Sequence, residues 1–193
     1  MARLDSLELR YSLKAIASNV DAGSVEVLNL VIKNRDVEAQ RRYLYSFWAG
    51  IDKNPEEAYT RYMEVARAVD ETYKSAFGYG FETERGRIFM KYGKPSNVIT
   101  VENEPSAPPY EIWFYDKVPG DRPQSDVKFL FYNPSLAGGN YQLLHSTCIG
   151  EVSNPAWEVE LYRDSQSLDN LGVDAVRAGP GINRRAREYF NEL

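Results

Sequence analysis

Along the first half of the chain, apolar positions recur at helical spacing; along the second half they alternate. The opening is ambiguous. Leu7, Leu9, Tyr11 and Leu13 alternate with Glu8, Arg10, Ser12 and Lys14, which favours a strand. A helix with Leu4, Leu7 and Tyr11 on one face is the competing reading. Residues 15–23 read as a loop. Val25, Leu28, Val31 and Ile32 then fit a short helix stopped near Asn34. Asp36 is suited to cap the next helix, whose apolar face holds Val37, Leu44 and Trp48 with Tyr43 and Phe47 beside them, and Gly50 ends it. Asn54-Pro-Glu-Glu57 is a helix start with Asn at the cap, Pro at the first position and Glu at the third. The helix it opens carries Tyr59, Tyr62, Met63, Ala66, Val69, Tyr73, Ala76 and Phe77 on one face, with Gly78 as its expected terminator.

The stretch from Gly78 to Pro95 separates the helical half from the strand half. Thr83 is placed to cap a short helix, and Glu84 adds negative charge where the helix dipole favours it. Ile88, Phe89 and Tyr92 form its apolar stripe. Gly93 can take the left-handed conformation at the end, and Pro95 prevents continuation. Gly86 sits early in this helix, where alanine would be the better helix former; close approach of another backbone is the simplest reason for it.

Four strands follow: Val98–Val101, Tyr110–Tyr115, Val127–Tyr132 and Tyr141–Cys148, joined by Pro- and Gly-containing loops at 103–109, 118–123 and 133–140. The linkers suit antiparallel neighbours. Both faces of the central strands are apolar. A sheet with helices on one side only would show a polar second face, so the second face is covered by chain or meets a partner. The tail is weaker. Pro155–Leu161 reads as a short strand or a docking segment, Asp164–Pro180 as loop, and Asn183–Leu193 as a terminal helix, docked or frayed. The fold class is α+β: N-terminal helices packed on a three- or four-stranded antiparallel meander. The organisation expected is an N-terminal segment at 1–35 continuing from an upstream domain, an α+β domain at 36–161, and a C-terminal tail at 162–193.

Composition narrows the function classes. The chain has 193 residues, 28 acidic against 23 basic, a net charge of −5 that argues against a general nucleic-acid binder. One cysteine and one histidine leave no disulfide framework and no His- or Cys-rich metal site. No cofactor motif is present. Gly93-Lys-Pro95 closes a helix, whereas a phosphate loop needs Gly-Lys-Ser/Thr opening one. No apolar run is long enough to span a bilayer, and Met1-Ala-Arg-Leu-Asp5 lacks the apolar segment of a signal peptide.

His145 and Cys148 invite a Cys–His dyad, but a spacing of three in a strand puts them on opposite faces. Asp116, Asp121 and Asp126 read as solvated turn residues. Arg85 and Arg87 stand beside the amides that open the pivot helix, where an anion could sit; pairing with Glu82, Glu84 or a sheet-end carboxylate is the competing role. Trp113, Tyr115, Tyr132 and Tyr141 offer an aromatic platform for sugar or peptide, or else cross-strand packing.

Gly80-Phe81-Glu82-Thr83-Glu84 resembles the name motif of the GWxTD domain, with Phe for Trp and Glu for Asp. The continuation Arg85-Gly86-Arg87-Ile88 and Tyr92-Gly93-Lys94-Pro95 is similar to the family's pattern. So are Arg42-Tyr-Leu44, Phe47-Trp48, the Asn54-Pro helix with Arg61, and Ile112-Trp-Phe-Tyr115. The resemblance covers roughly 36–150. It implies a protein exported by bacteria of the Bacteroides group, an envelope or periplasmic location, and a parent chain with an export signal and preceding domains, through which membrane association would come. It carries over no catalytic residue. A weaker architectural likeness, to the BamE/SmpA-type outer-membrane assembly lipoproteins, implies a noncatalytic interaction module. The expectation is therefore an assembly domain whose partner is another envelope protein, held at the aromatic sheet face and the loops near 103–109 and 117–125. The rival is an enzyme or an anion or carbohydrate binder with a polar pocket at the start of the 83–93 helix.

Overall fold

The computed structural model describes residues 3–75, 78–104, 106–119, 122–136, 138–163 and 184–192. The fold is α+β, with helices preceding a four-stranded antiparallel sheet. The chain divides into two compact units. One is Met1–Glu82 with Gly86–Lys91; the other is Thr83–Arg85 with Tyr92–Leu193.

The first unit is helical. Its opening element is not the strand that alternation favours but a helix, α1 (Ser6–Ala15). Asp5 and Glu8 decide this. The Asp5 carboxylate accepts from the amides of Leu7 and Glu8 at 2.8 Å each, and the Glu8 carboxylate accepts from the Asp5 amide at 3.0 Å. Leu9, Leu13 and Ile16, at helical spacing, are fully buried, while Leu7 is 78% exposed. After a 3₁₀ turn come α2 (Ala22–Asn34) and α3 (Val37–Ile51). Arg35, in the left-handed region at φ 55°, closes α2. Asp36 caps α3 by accepting from the amides of Glu38 and Ala39. Gly50 does not end α3, which runs through Ile51.

Helix α4 (Pro55–Tyr73) starts at the Asn-Pro signal, with Pro at the first turn, but the Asn54 side chain makes no capping bond. It ends at Tyr73, short of Gly78; Ala76 and Phe77 lie outside the described residues. Leu44 and Trp48 of α3 pack with Met63, Ala66 and Val69 of α4 and with Leu9 and Leu13 of α1 in one core. Helix α5 (Glu84–Tyr92) begins directly after Thr83, and its residues are divided between the two units. Gly93 follows it at φ 83°, the conformation a glycine supplies without strain.

The second unit is built on β1 (Asn97–Val101), β2 (Tyr110–Val118), β3 (Gln124–Tyr132) and β4 (Gln142–Ser146), in that spatial order. Ile112 sits opposite Ile99 and Leu130; Trp113 sits opposite Val98 and Phe129. The register shifts between Leu130 and Phe131, whose partners are His145 and Leu143. That leaves Leu144 as the extra residue of a bulge.

One sheet face carries Tyr110, Ile112, Leu130 and Tyr132. It is covered within the unit by Trp157, Leu161 and Tyr162, on or just after α6 (Trp157–Leu161), and by Ala186 and Phe190 of α7 (Ala186–Glu192). The tail segment at 155–161 is thus a docked helix, and the terminal helix is docked through residues 0% and 8% exposed. Residues 164–183, expected to be mostly loop, lie outside the described residues.

Candidate functional site

In the first unit, glycines let three backbones stack. A Cβ on Gly80 would lie 2.4 Å from the Asp70 carbonyl oxygen and 2.5 Å from that of Val69 in α4. A Cβ on Gly86 would lie 1.9 Å from the Gly80 carbonyl oxygen and 2.8 Å from the Phe81 Cα. Asp70 anchors the same spot: its carboxylate accepts from the Gly80 amide at 2.6 Å and from the Tyr11 hydroxyl at 3.0 Å. Burial first, then this bond to Asp70, raise the Tyr11 phenol above its ordinary range and keep it a donor. Phe81, 4% exposed, packs edge-on to Tyr11 at 5.1 Å and stacks on Tyr79 at 5.2 Å. Lys14 pairs with Glu82 at 2.8 Å. Within this unit Gly80, Phe81 and Glu82 are packing and anchoring residues.

In the second unit the polar centre is Arg85. Its guanidinium donates to Glu111 at 2.8 Å, lies over the Tyr141 ring at 3.9 Å, and approaches the Gly139 carbonyl at 3.5 Å. The other carboxylate oxygen of Glu111 accepts from the Trp113 indole at 2.9 Å. The two charged side chains are only 11% and 12% exposed. An anion arriving at Arg85 would have to displace Glu111 from a buried pair, which is costly. The sheet-side carboxylate is therefore the partner of Arg85, as the pairing alternative had it. Arg87, half-buried, belongs to the first unit.

The aromatic residues do not form a platform. Trp113 and Tyr115 are each 1% exposed, on the face opposite that of Tyr132, which is 7% exposed. Trp113 packs on Phe131 with ring centres 4.9 Å apart, and Tyr115 packs edge-on to Phe129 at 5.5 Å. The Tyr115 hydroxyl donates to the Gly93 carbonyl, and that of Tyr132 to Glu160. Stacking a sugar or peptide on these rings would require opening the core, so the expected sheet-face contact surface is replaced by cross-strand packing.

His145 and Cys148 have separate neighbours. β4 ends at Ser146, so Cys148 lies beyond the strand rather than within it. The His145 Nδ1 accepts from the Asn154 amide at 3.0 Å, and its ring stacks with Trp157 and lies tilted against Phe190. Burial lowers its pKa. Cys148, 3% exposed, has its sulfur 3.6 Å from the Tyr92 hydroxyl and from Gln124. Asp116 and Asp126 are exposed, and Asp121 lies outside the described residues. Among the described residues no group of three or more His, Cys, Asp or Glu is placed to hold a metal.

A second polar centre escaped sequence reasoning. Glu104 accepts from the hydroxyls of Tyr110 and Tyr162 and from the Arg185 amide, and the Tyr162 oxygen in turn accepts from the Ala186 amide. This one carboxylate ties the loop before β2 to the start of α7. Glu111 did leave a signal: it is the lone charge in Tyr110-Glu-Ile-Trp-Phe-Tyr115. Glu104 and Asp70 left none: Glu104 sits two residues from Glu102 in a proline-rich loop, and Asp70 is one acid among several on α4.

The family model described as the GWxTD domain matches residues 29–163, more than half of the chain. The chain belongs to the GWxTD-domain family. The GWxTD match begins within α2 and ends just past α6, so it takes in both glycine contacts, the Arg85–Glu111 pair and the whole sheet. Gly80, which the sequence resemblance matches to the glycine of the name motif, has its backbone on α4, and Phe81, at the aromatic position of that resemblance, is buried. No curated protein and no solved structure matches the chain.

Proposed function

We propose that this GWxTD domain is a noncatalytic interaction or assembly domain of a bacterial cell-envelope protein. One observation carries the reading: the groups that chemistry would draw on are turned inward, while large apolar side chains are turned to solvent. Arg85, Glu111, Glu104 and His145 all bond within the fold. Leu136 is 71% exposed in the β3–β4 loop, and Ile149 and Val152 are 67% and 48% exposed in the loop after β4. Ile149 and Val152 stand three residues apart in one loop, and neighbouring exposed apolar side chains of this kind suit a protein partner; Leu136 lies at the other end of β4. The contact surface moves accordingly, from the aromatic sheet face to these loops. The envelope location and an envelope partner come from the family resemblance alone. No helix among the described residues is long and apolar enough to cross a membrane.

The test is affinity capture from a detergent-solubilised envelope extract of the source organism. The wild-type chain is compared with an Ile149→Ser, Val152→Ser variant shown by circular dichroism to be folded. A protein retained by the wild type and lost by the variant supports the reading. Equal recovery by both removes the loop surface, and no recovery by either removes the interaction reading.

A further inference from the structure

Helix α2 carries an apolar stripe that the first unit does not bury. Its inner side, Leu28 with Val31 and Ile32, packs on the helical core. Its outer side presents Gly23, Val27, Leu30 and Asn34, at spacings of four, three and four, which is the seam of a two-helix pair. Val27 is 50% exposed and Leu30 56% exposed. A Cβ on Gly23 would meet nothing within 4 Å, so the stripe is open at that end. One flank of the stripe holds Glu26 and Lys33, both exposed, and neither makes an ion pair among the described residues.

The arrangement of these charges selects the occupant. When two copies of α2 pack antiparallel about a two-fold axis, each flank meets the same flank of its partner with the sequence direction reversed. Val27 then packs on Leu30 of the other copy, and Leu30 on Val27. Gly23 lies beside Asn34, where its missing side chain admits close approach. Glu26 falls within a turn of the other copy's Lys33, and the reverse, giving two opposite-charge contacts on one edge. A parallel pair would set this flank against the opposite flank of the partner, which holds Ser24 and Val31, and would form neither contact. The stripe is thus complementary to itself in one orientation.

We propose that α2 is the two-fold interface of a homodimer of this chain, formed by antiparallel self-pairing. The proposal uses a helix in the first unit and is independent of the loop surface in the second. A single pair of short helices buries less than the roughly 1,000 Å² typical of a stable complex, so the dimer is weak and concentration-dependent.

Sedimentation velocity from about 1 to about 200 μM tests it, in the range where so small an interface associates. The wild type is expected to shift from monomer to dimer across the series. Leu30→Glu, at an exposed position, is expected to stay monomeric while keeping the wild-type circular dichroism spectrum. Lys33→Glu, which sets acid against acid, is expected to weaken the dimer at least tenfold, and adding Glu26→Lys is expected to restore it. A wild type that stays monomeric throughout overturns the proposal. A dimer indifferent to Leu30→Glu, or one not rescued by the charge exchange, overturns the interface or its orientation.

Discussion

Replacing Gly86 by alanine should reverse the ordinary rule for helices. In an open helix interior this change stabilises by about 1 kcal/mol, because glycine has more backbone freedom to lose. At position 86 the new Cβ would sit 1.9 Å from the Gly80 carbonyl oxygen, 2.7 Å from its carbon and 2.8 Å from the Phe81 Cα. All three are backbone atoms, so no side chain can swing aside. To reach ordinary contact α5 must move by more than an ångström from the Gly80–Glu82 turn, and that turn is itself pinned to α4 at Gly80. Overpacking of a filled core costs typically 1–3 kcal/mol, and a rigid backbone obstacle belongs at the upper end. The expectation is a net loss of about 3 kcal/mol or more, worth roughly 6–12 °C in Tm for a chain of this size. Urea and thermal unfolding followed by circular dichroism would measure it. Gly50→Ala is the control, because a Cβ there meets nothing within 4 Å. It should be neutral or slightly stabilising. A Gly86→Ala protein as stable as the wild type would refute the three-backbone stack.

The remaining predictions concern the second unit. Glu111→Ala leaves Arg85 buried without its carboxylate, so it should destabilise by about 3–5 kcal/mol in urea, and Arg85→Ala comparably; losses under 1 kcal/mol would mean that the pair is solvated. Tyr115→Ala and Tyr132→Ala should each lower Tm by several degrees, since both rings are core; unchanged melting would return them to the surface. His145 is held neutral in the fold, with a pKa below the ordinary value near 6.5, because burial disfavours the charged ring and a protonated Nδ1 cannot accept from Asn154. Its contribution is therefore complete above about pH 6.5 and is lost as pH falls through the depressed folded value. Between pH 7 and pH 5 the wild type should lose more stability than His145→Gln, and parallel pH profiles would contradict this. Cys148 should react with a thiol reagent only after denaturation, and rapid labelling of the native chain would show that its pocket opens.

Several of these features can be read in the residues, and the reasons others cannot are physical. The four strands and their order follow from short runs of alternating apolar residues between proline and glycine turns. The apolar character of both sheet faces called for cover by chain or by a partner, and for the face of Tyr110, Ile112, Leu130 and Tyr132 the cover is chain. What supplies it was not legible, because Trp157, Leu161 and Phe190 lie far along the chain, in segments too short to show a period. The first helix was misread because Leu7 and Leu9 alternate, yet only Leu9 points inward, and the buried row is interrupted by polar Ser12. The Asp5-x-x-Glu8 cap outranks that alternation. The aromatic residues near position 113 were conspicuous by type, but type alone does not separate a binding platform from a core. Their cross-strand register does. The Arg85 pair was legible as an alternative, since a single acid in an otherwise apolar strand needs a buried cation.

Burial of the conspicuous rings in the core is what leaves recognition to the loops and to α2. Tryptophan emission tests this most directly, because all three tryptophans are at most 8% exposed. The native chain is expected to emit at short wavelength and to resist quenching by iodide, with a red shift and full quenching appearing together on unfolding. Native emission at the wavelength of exposed indole, quenched freely by iodide, would contradict the burial, and the same measurement on a Trp48→Phe, Trp157→Phe variant would say whether Trp113 is at the surface.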